Sequence, residues 1–95
     1  MVKVFKVGLI GCGHIAETYF RDHKYFNNFR IIKCADINHE NAEKCAEKYG
    51  ITACSVEELL KDNDIEVILN LTIPRAHYEV AKQSLENNKH VYSEK

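Results

Sequence analysis

The chain has 95 residues, enough for one domain. Hydrophobic residues make up 45% and charged ones 28%, and 13 Lys plus Arg against 14 Asp plus Glu leave a net charge of −1. That soluble, globular balance has no basic surplus to drive binding to nucleic acid or to an anionic membrane.

The apolar period switches repeatedly along the chain, as it does where strands and helices alternate. Lys3 to Ile10 predicts a buried first strand, broken by Gly11 to Gly13. A helix is expected from His14 to about Phe26, and Phe29 to Ala35 reads as the second strand. Asn38 suits an N-cap before Ala42, Cys45, Ala46 and Tyr49 at helical spacing, and Gly50 stands where that helix should close. Ile51 to Ala53 predicts a short third strand, and Ser55 with Glu58 forms a capping-box pattern ahead of Leu59 and Leu60. Ile65 to Leu71 is nearly continuously apolar, as expected of a central parallel strand covered on both faces. Pro74 should open a helix with Ala76, Val80, Ala81 and Leu85 on its apolar face, ended by Asn87-Asn88. His90 to Tyr92 completes five strands. The expected fold class is a Rossmann-type three-layer α/β/α domain over residues 1–95, with an open, mainly parallel sheet of order 3-2-1-4-5.

No apolar run approaches the ~20 residues of a membrane-spanning helix. Lys3 and Lys6 interrupt the N-terminal apolar stretch and no small-residue cleavage site follows it, so no secretory leader and a cytoplasmic location are expected. The four cysteines are spaced 22, 11 and 9 residues apart with no C-x-x-C pair, which predicts free thiols in a reducing compartment. Cys12-x-His14 alone is a poor start for zinc, so no metal site is expected.

Gly11-Cys12-Gly13-His14-Ile15-Ala16 matches G-x-G-x-x-[GA] between the first strand and the first helix. Gly11 would allow the tight turn, Gly13 a close backbone approach to a pyrophosphate, and Ala16 close packing of helix on strand. The helix start would offer unpaired N–H groups and partial positive charge to phosphates. A tight structural turn without ligand would also produce such a loop. The flanking strand and helix, with Asp36 lying 23 positions past Gly13, argue for a dinucleotide. The Asp36 carboxylate could accept hydrogen bonds from both adenosine ribose hydroxyls. It would also repel a 2′-phosphate by about 4 kcal/mol at ~4 Å and an effective dielectric of roughly 20. Ile37, Asn38 and His39 include no cation to receive that phosphate, which favours NAD over NADP. A helix N-terminal charge on a solvated loop is the other reading of Asp36.

The chain resembles the glucose–fructose oxidoreductase/inositol dehydrogenase (Gfo/Idh/MocA) family in three stretches. These are Gly8-Leu9-Ile10-Gly11-Cys12-Gly13-His14-Ile15-Ala16, Thr72-Ile73-Pro74-Arg75-Ala76-His77 and Lys89-His90-Val91-Tyr92-Ser93-Glu94-Lys95. The second and third are similar to the family's T-P-x-x-x-H and G-K-H-V-x-x-E-K-P signatures. Pro74 comes one place late, Asn88 replaces a Gly, and the chain stops at Lys95 before the final Pro. The resemblance implies a truncated or excised cofactor-binding half of an NAD-dependent oxidoreductase acting on a sugar, polyol or related hydroxy compound. Such a half would bind cofactor without turnover.

By the same resemblance, Leu71, Thr72 and Pro74 would shape the loop over the cofactor. His77 would either fix that loop or be a partly exposed first-turn histidine. Ile37 would lie beside the ribose, Glu94 near the nicotinamide, and Lys95 beside the substrate hydroxyl as the catalytic proton carrier. His14 and Cys12 could touch the ligand, His14 otherwise facing solvent. The expected partners are a small-molecule substrate and, through an open sheet edge, further copies of the chain. Two other readings compete: a non-catalytic nucleotide-binding sensor of the same fold, and a methyltransferase using S-adenosylmethionine, which would lack the second and third signatures.

Overall fold

A computed structural model of the protein describes residues 4–13, 29–72 and 74–93. Five strands are present: β1 (Phe5–Ile10), β2 (Phe29–Ala35), β3 (Thr52–Ala53), β4 (Val67–Asn70) and β5 (His90–Ser93). Among the described residues three helices accompany them, α1 (His39–Tyr49), α2 (Val56–Lys61) and α3 (Pro74–Glu86). The helix expected from His14 to about Phe26 lies outside the described residues. The strands form one parallel sheet in the order β3-β2-β1-β4-β5, so the expected Rossmann-type α/β class and strand order are what the molecule has.

Both faces of the centre are covered, which is why β1 and β4 are apolar rather than alternating. Val7, Leu9, Ile31, Cys34, Leu69 and Leu71 pack with Ala42, Cys45 and Ala46 of α1. On the opposite face, Ile10, Ala35 and Ile68 pack with Leu59 and Leu60 of α2, Ile65, and Val80 of α3.

Local signals set the helix ends. The Asn38 side chain accepts the Glu40 N–H at 3.1 Å, and Gly50 closes α1 in the left-handed conformation with its N–H on the Ala46 carbonyl. The Ser55–Glu58 box forms in both directions, at 3.0 and 3.2 Å. Asn88 turns the chain out of α3 at a φ of 62°, a conformation Asn tolerates.

Two expectations change. β4 pairs only over Val67–Asn70, against Val7–Ile10 of β1, although the Glu66 and Leu71 N–H groups still reach the Lys6 and Ile10 carbonyls at 3.0 and 2.8 Å. On α3, Leu85 is 64% exposed instead of buried. The inward face runs through Val80 and Ser84, whose hydroxyl is satisfied by the Val80 carbonyl at 2.7 Å.

Register places the site. Ile10 aligns with Ala35 on one side and with Asn70 on the other, so three strands end at one level. Gly11, Asp36 and Leu71 follow at the carboxyl edge, where the strand order reverses between β1 and β4. In open parallel sheets that crevice is where ligands bind.

Candidate functional site

Gly11 leaves β1 with its N–H on the Ala35 carbonyl at 2.9 Å and a φ of 104°. A Cβ there would stand 2.7 Å from the Leu71 carbonyl carbon and oxygen and 2.9 Å from the Thr72 nitrogen. The turn therefore needs glycine twice over, for its dihedral and for the backbone of residues 71–72 pressed against it. Gly13 differs: a Cβ there would meet nothing within 4 Å among the described residues, and the residue is exposed. The described residues leave that space open, as a backbone approached by a bound group requires.

Asp36 is clasped to the loop. One carboxylate oxygen accepts the Cys12 N–H at 2.7 Å and the other the Asn38 N–H at 2.8 Å. Each oxygen keeps a second lone pair for an external donor, and the residue is only half-buried. The carboxylate is thus oriented by the loop it was expected to serve with. Ile37 beside it is 77% exposed.

Across the crevice, Leu71 points into the core and contributes backbone alone, while Thr72 is half-buried. Asn70, fully buried at the end of β4, joins this segment to α3. Its Oδ1 accepts from Thr72 Oγ1 at 2.7 Å and from the Thr72 N–H at 3.3 Å, and its Nδ2 donates to the His77 carbonyl at 2.9 Å. His77 Nδ1 lies 3.4 Å from the Thr72 carbonyl. His77 is carried by the helix that Pro74 opens. The sequence reasoning passed over Asn70; a polar residue inside an apolar strand run is the signal that could have found it. His14, Ile15 and Ala16, and likewise Glu94 and Lys95, lie outside the described residues.

Three thiols also meet below the loop. The sulfurs of Cys12, Cys34 and Cys45 all lie within 4.8 Å of one another. Cys12 turns its thiol inward, toward the Ala35 carbonyl at 3.6 Å, and so offers the crevice its backbone. The neighbouring Cys34 thiol, reinforced by burial, holds the Cys12 thiol far above the ordinary range, and Cys12 in turn lowers Cys34. Burial pushes Cys45 up to about 11. All four cysteines are free, as expected.

With this geometry in place, comparison with known proteins is decisive at the level of family. An oxidoreductase family with an NAD-binding Rossmann fold (GFO_IDH_MocA) matches residues 5–95. The chain belongs to this family. Among its relatives, the inositol 2-dehydrogenase/D-chiro-inositol 3-dehydrogenase of Lactiplantibacillus plantarum is 31% identical over 97% of this chain and 27% of its own length. The myo-inositol dehydrogenase of Lactobacillus casei, solved in complex with NAD(H) and myo-inositol, superposes with a TM-score of 0.82 at 26% identity, over 97% of this chain and 28% of that one. A structure described as a putative NADPH-dependent oxidoreductase, from Desulfitobacterium hafniense, reaches a TM-score of 0.90 at 27% identity, over 100% of this chain and 28% of that one. The chain thus spans a little over a quarter of the length of the proteins it matches. Among the described residues, no helix is long and apolar enough to cross a membrane.

Proposed function

We propose that these 95 residues bind NAD in preference to NADP, as the cofactor half of a dehydrogenase acting on a polyol or sugar hydroxyl. The observation that carries this reading is the Asp36 carboxylate, oriented by the Cys12 N–H at the reversal point of the sheet and beside a Gly13 with open space in front of it. When bound, the dinucleotide supplies the hydride acceptor. The chain's own residues hold and orient it. The loop at Gly11 to Gly13 lies against the diphosphate, and Asp36 accepts the two ribose hydroxyls. The 71–72 backbone, pinned by Asn70, bounds the nicotinamide side, with His77 steadying that segment.

Lys95 is assigned the proton of the substrate hydroxyl, and Glu94 the flank of the nicotinamide. Hydride leaves a carbinol carbon only as its hydroxyl proton departs, and a lysine near positive charge has its pKa lowered toward that task. Polyol substrates are favoured by the inositol dehydrogenases among the relatives. By themselves the 95 residues are expected to bind cofactor without turnover.

Fluorescence titration with NADH and NADPH tests the reading. NADH is expected to bind more tightly, and Asp36→Arg to shift the NADH/NADPH preference at least about tenfold toward NADPH, a change of ~1.4 kcal/mol. Failure of both cofactors to bind at millimolar concentration would overturn it, and unchanged discrimination in Asp36→Arg would remove Asp36 from the ribose.

A further inference from the structure

We propose that Cys12, Cys34 and Cys45 form a binding site for a trivalent thiophilic metalloid, the class represented by arsenic(III). The three residues come from three elements: the turn after β1, the end of β2 and the middle of α1. Their sulfurs lie within 4.8 Å of one another. A central atom bonded at about 2.3 Å, as in metal thiolates, holds three sulfurs about 3.4 to 4.0 Å apart. The sulfurs need to draw together by at most about 1.4 Å, with weak thiol–carbonyl contacts but no disulfide to break.

Coordination number and charge select the occupant. Among the described residues the donors that meet here are three sulfurs. Its surroundings are apolar: Val7, Leu9, Ile31, Ala42 and Leu69 share its core. Asp36, which accepts the Cys12 N–H, sets negative charge on the loop side, while Lys48 acts on Cys45 from α1. Zinc(II) on three thiolates would leave a net negative charge and an open position seeking water. Copper(I) on three thiolates would leave two negative charges. Buried, uncompensated charge is costly, and here Asp36 adds to the cost.

Arsenic(III) leaves none. Neutral arsenous acid exchanges its three As–O bonds for three As–S bonds. The three S–H protons leave with the three hydroxides as water, and the oxidation state is unchanged. The exchange starts from thiols and needs no prior ionisation. Cys12, the least buried of the three, reacts first once its inward thiol turns toward the crevice, and Cys34 and Cys45, 0% and 8% exposed, complete the set from within. An occupied site staples the glycine loop to β2 and α1. The expected loss of dinucleotide binding rests on the reading above, whereas arsenic binding itself does not.

The test treats the protein with stoichiometric arsenite under a phosphine reductant. Intact mass spectrometry should show one arsenic gained and three hydrogens lost. Alkylation should reach Cys54 alone, and X-ray absorption should count three sulfurs around arsenic. Cys12→Ser, Cys34→Ser and Cys45→Ser should each weaken binding at least about tenfold, while Cys54→Ser leaves it unchanged. Absence of an adduct, a count of two sulfurs, or an adduct lost in Cys54→Ser and kept in Cys34→Ser would overturn the proposal. The sulfur count on the unaltered chain stands even where a core variant fails to fold. Arsenic binding without NADH binding would separate this site from the dinucleotide reading.

Discussion

Gly11 and Gly13 stand two residues apart in one loop, and the structure gives them separate burdens. Gly11 has a left-handed φ and a neighbouring backbone within 3 Å of any added Cβ. Gly13 has neither constraint. Gly11→Ala should therefore cost about 2–4 kcal/mol of folding stability, combining dihedral strain with a backbone clash that no rotamer relieves. Gly13→Ala should change stability by less than about 0.5 kcal/mol, yet weaken NADH binding by filling the space before the loop. Urea denaturation beside NADH titration separates the two effects. Equal stability losses in the two variants would refute the division of labour. The glycine pattern and Asp36 were readable in the sequence because each depends on local conformation at a strand end. Asn70 was passed over because its stretch was read for apolarity, although its partners Thr72 and His77 lie only two and seven residues on. The three thiols were hidden because spacings of 22 and 11 residues say nothing about which elements converge.

The helices show how far periodicity reaches at the scale of an element. It located α3, and Pro74 and Asn87-Asn88 marked its ends. It placed Val80 correctly but misjudged Leu85, because a small residue, Ser84, occupies the buried position and hides its hydroxyl on the preceding turn. Apolarity alone favoured Leu85. The helix packs on the sheet through Val80, so Val80→Ala should cost about 1–3 kcal/mol. Leu85→Ala should stay within about 0.5 kcal/mol despite removing more carbon. Chemical denaturation of the pair checks this, and the opposite ranking would put Leu85 back in the core. The capping signals at Asn38 and Ser55 were read correctly because a cap is a contact between residues two or three apart.

At the scale of the whole molecule, the segment from Asp62 to Ile65 ties separate parts of the sheet together at the entry to β4. The Asp62 carboxylate pairs with Lys33 of β2 and accepts the Asp64 N–H at 2.8 Å. Buried Lys89, just before β5, donates to the Asp62 and Ile65 carbonyls at 2.5 and 2.7 Å. The hydrogen bond from Lys33 holds the Asp62 carboxyl below the usual carboxylate range, and the same bond raises Lys33. A depressed carboxyl contributes stability that is present above its unfolded pKa, near 3.9, and is lost as pH falls through the lower folded value. The raised Lys33 contributes stability that is present below about pH 10.4 and is lost as pH rises through its higher folded value. The pair is partly solvated, so its worth is at most about 1 kcal/mol. Asp62→Asn should therefore lower stability at neutral pH by that amount and reduce the loss of stability on going from about pH 5 to pH 2. Thermal melts across that range measure both quantities. An acid limb as steep in Asp62→Asn as in the unaltered chain would mean that other carboxylates govern acid unfolding, and that the tie across β2, β4 and β5 rests on Lys89 and its two carbonyls.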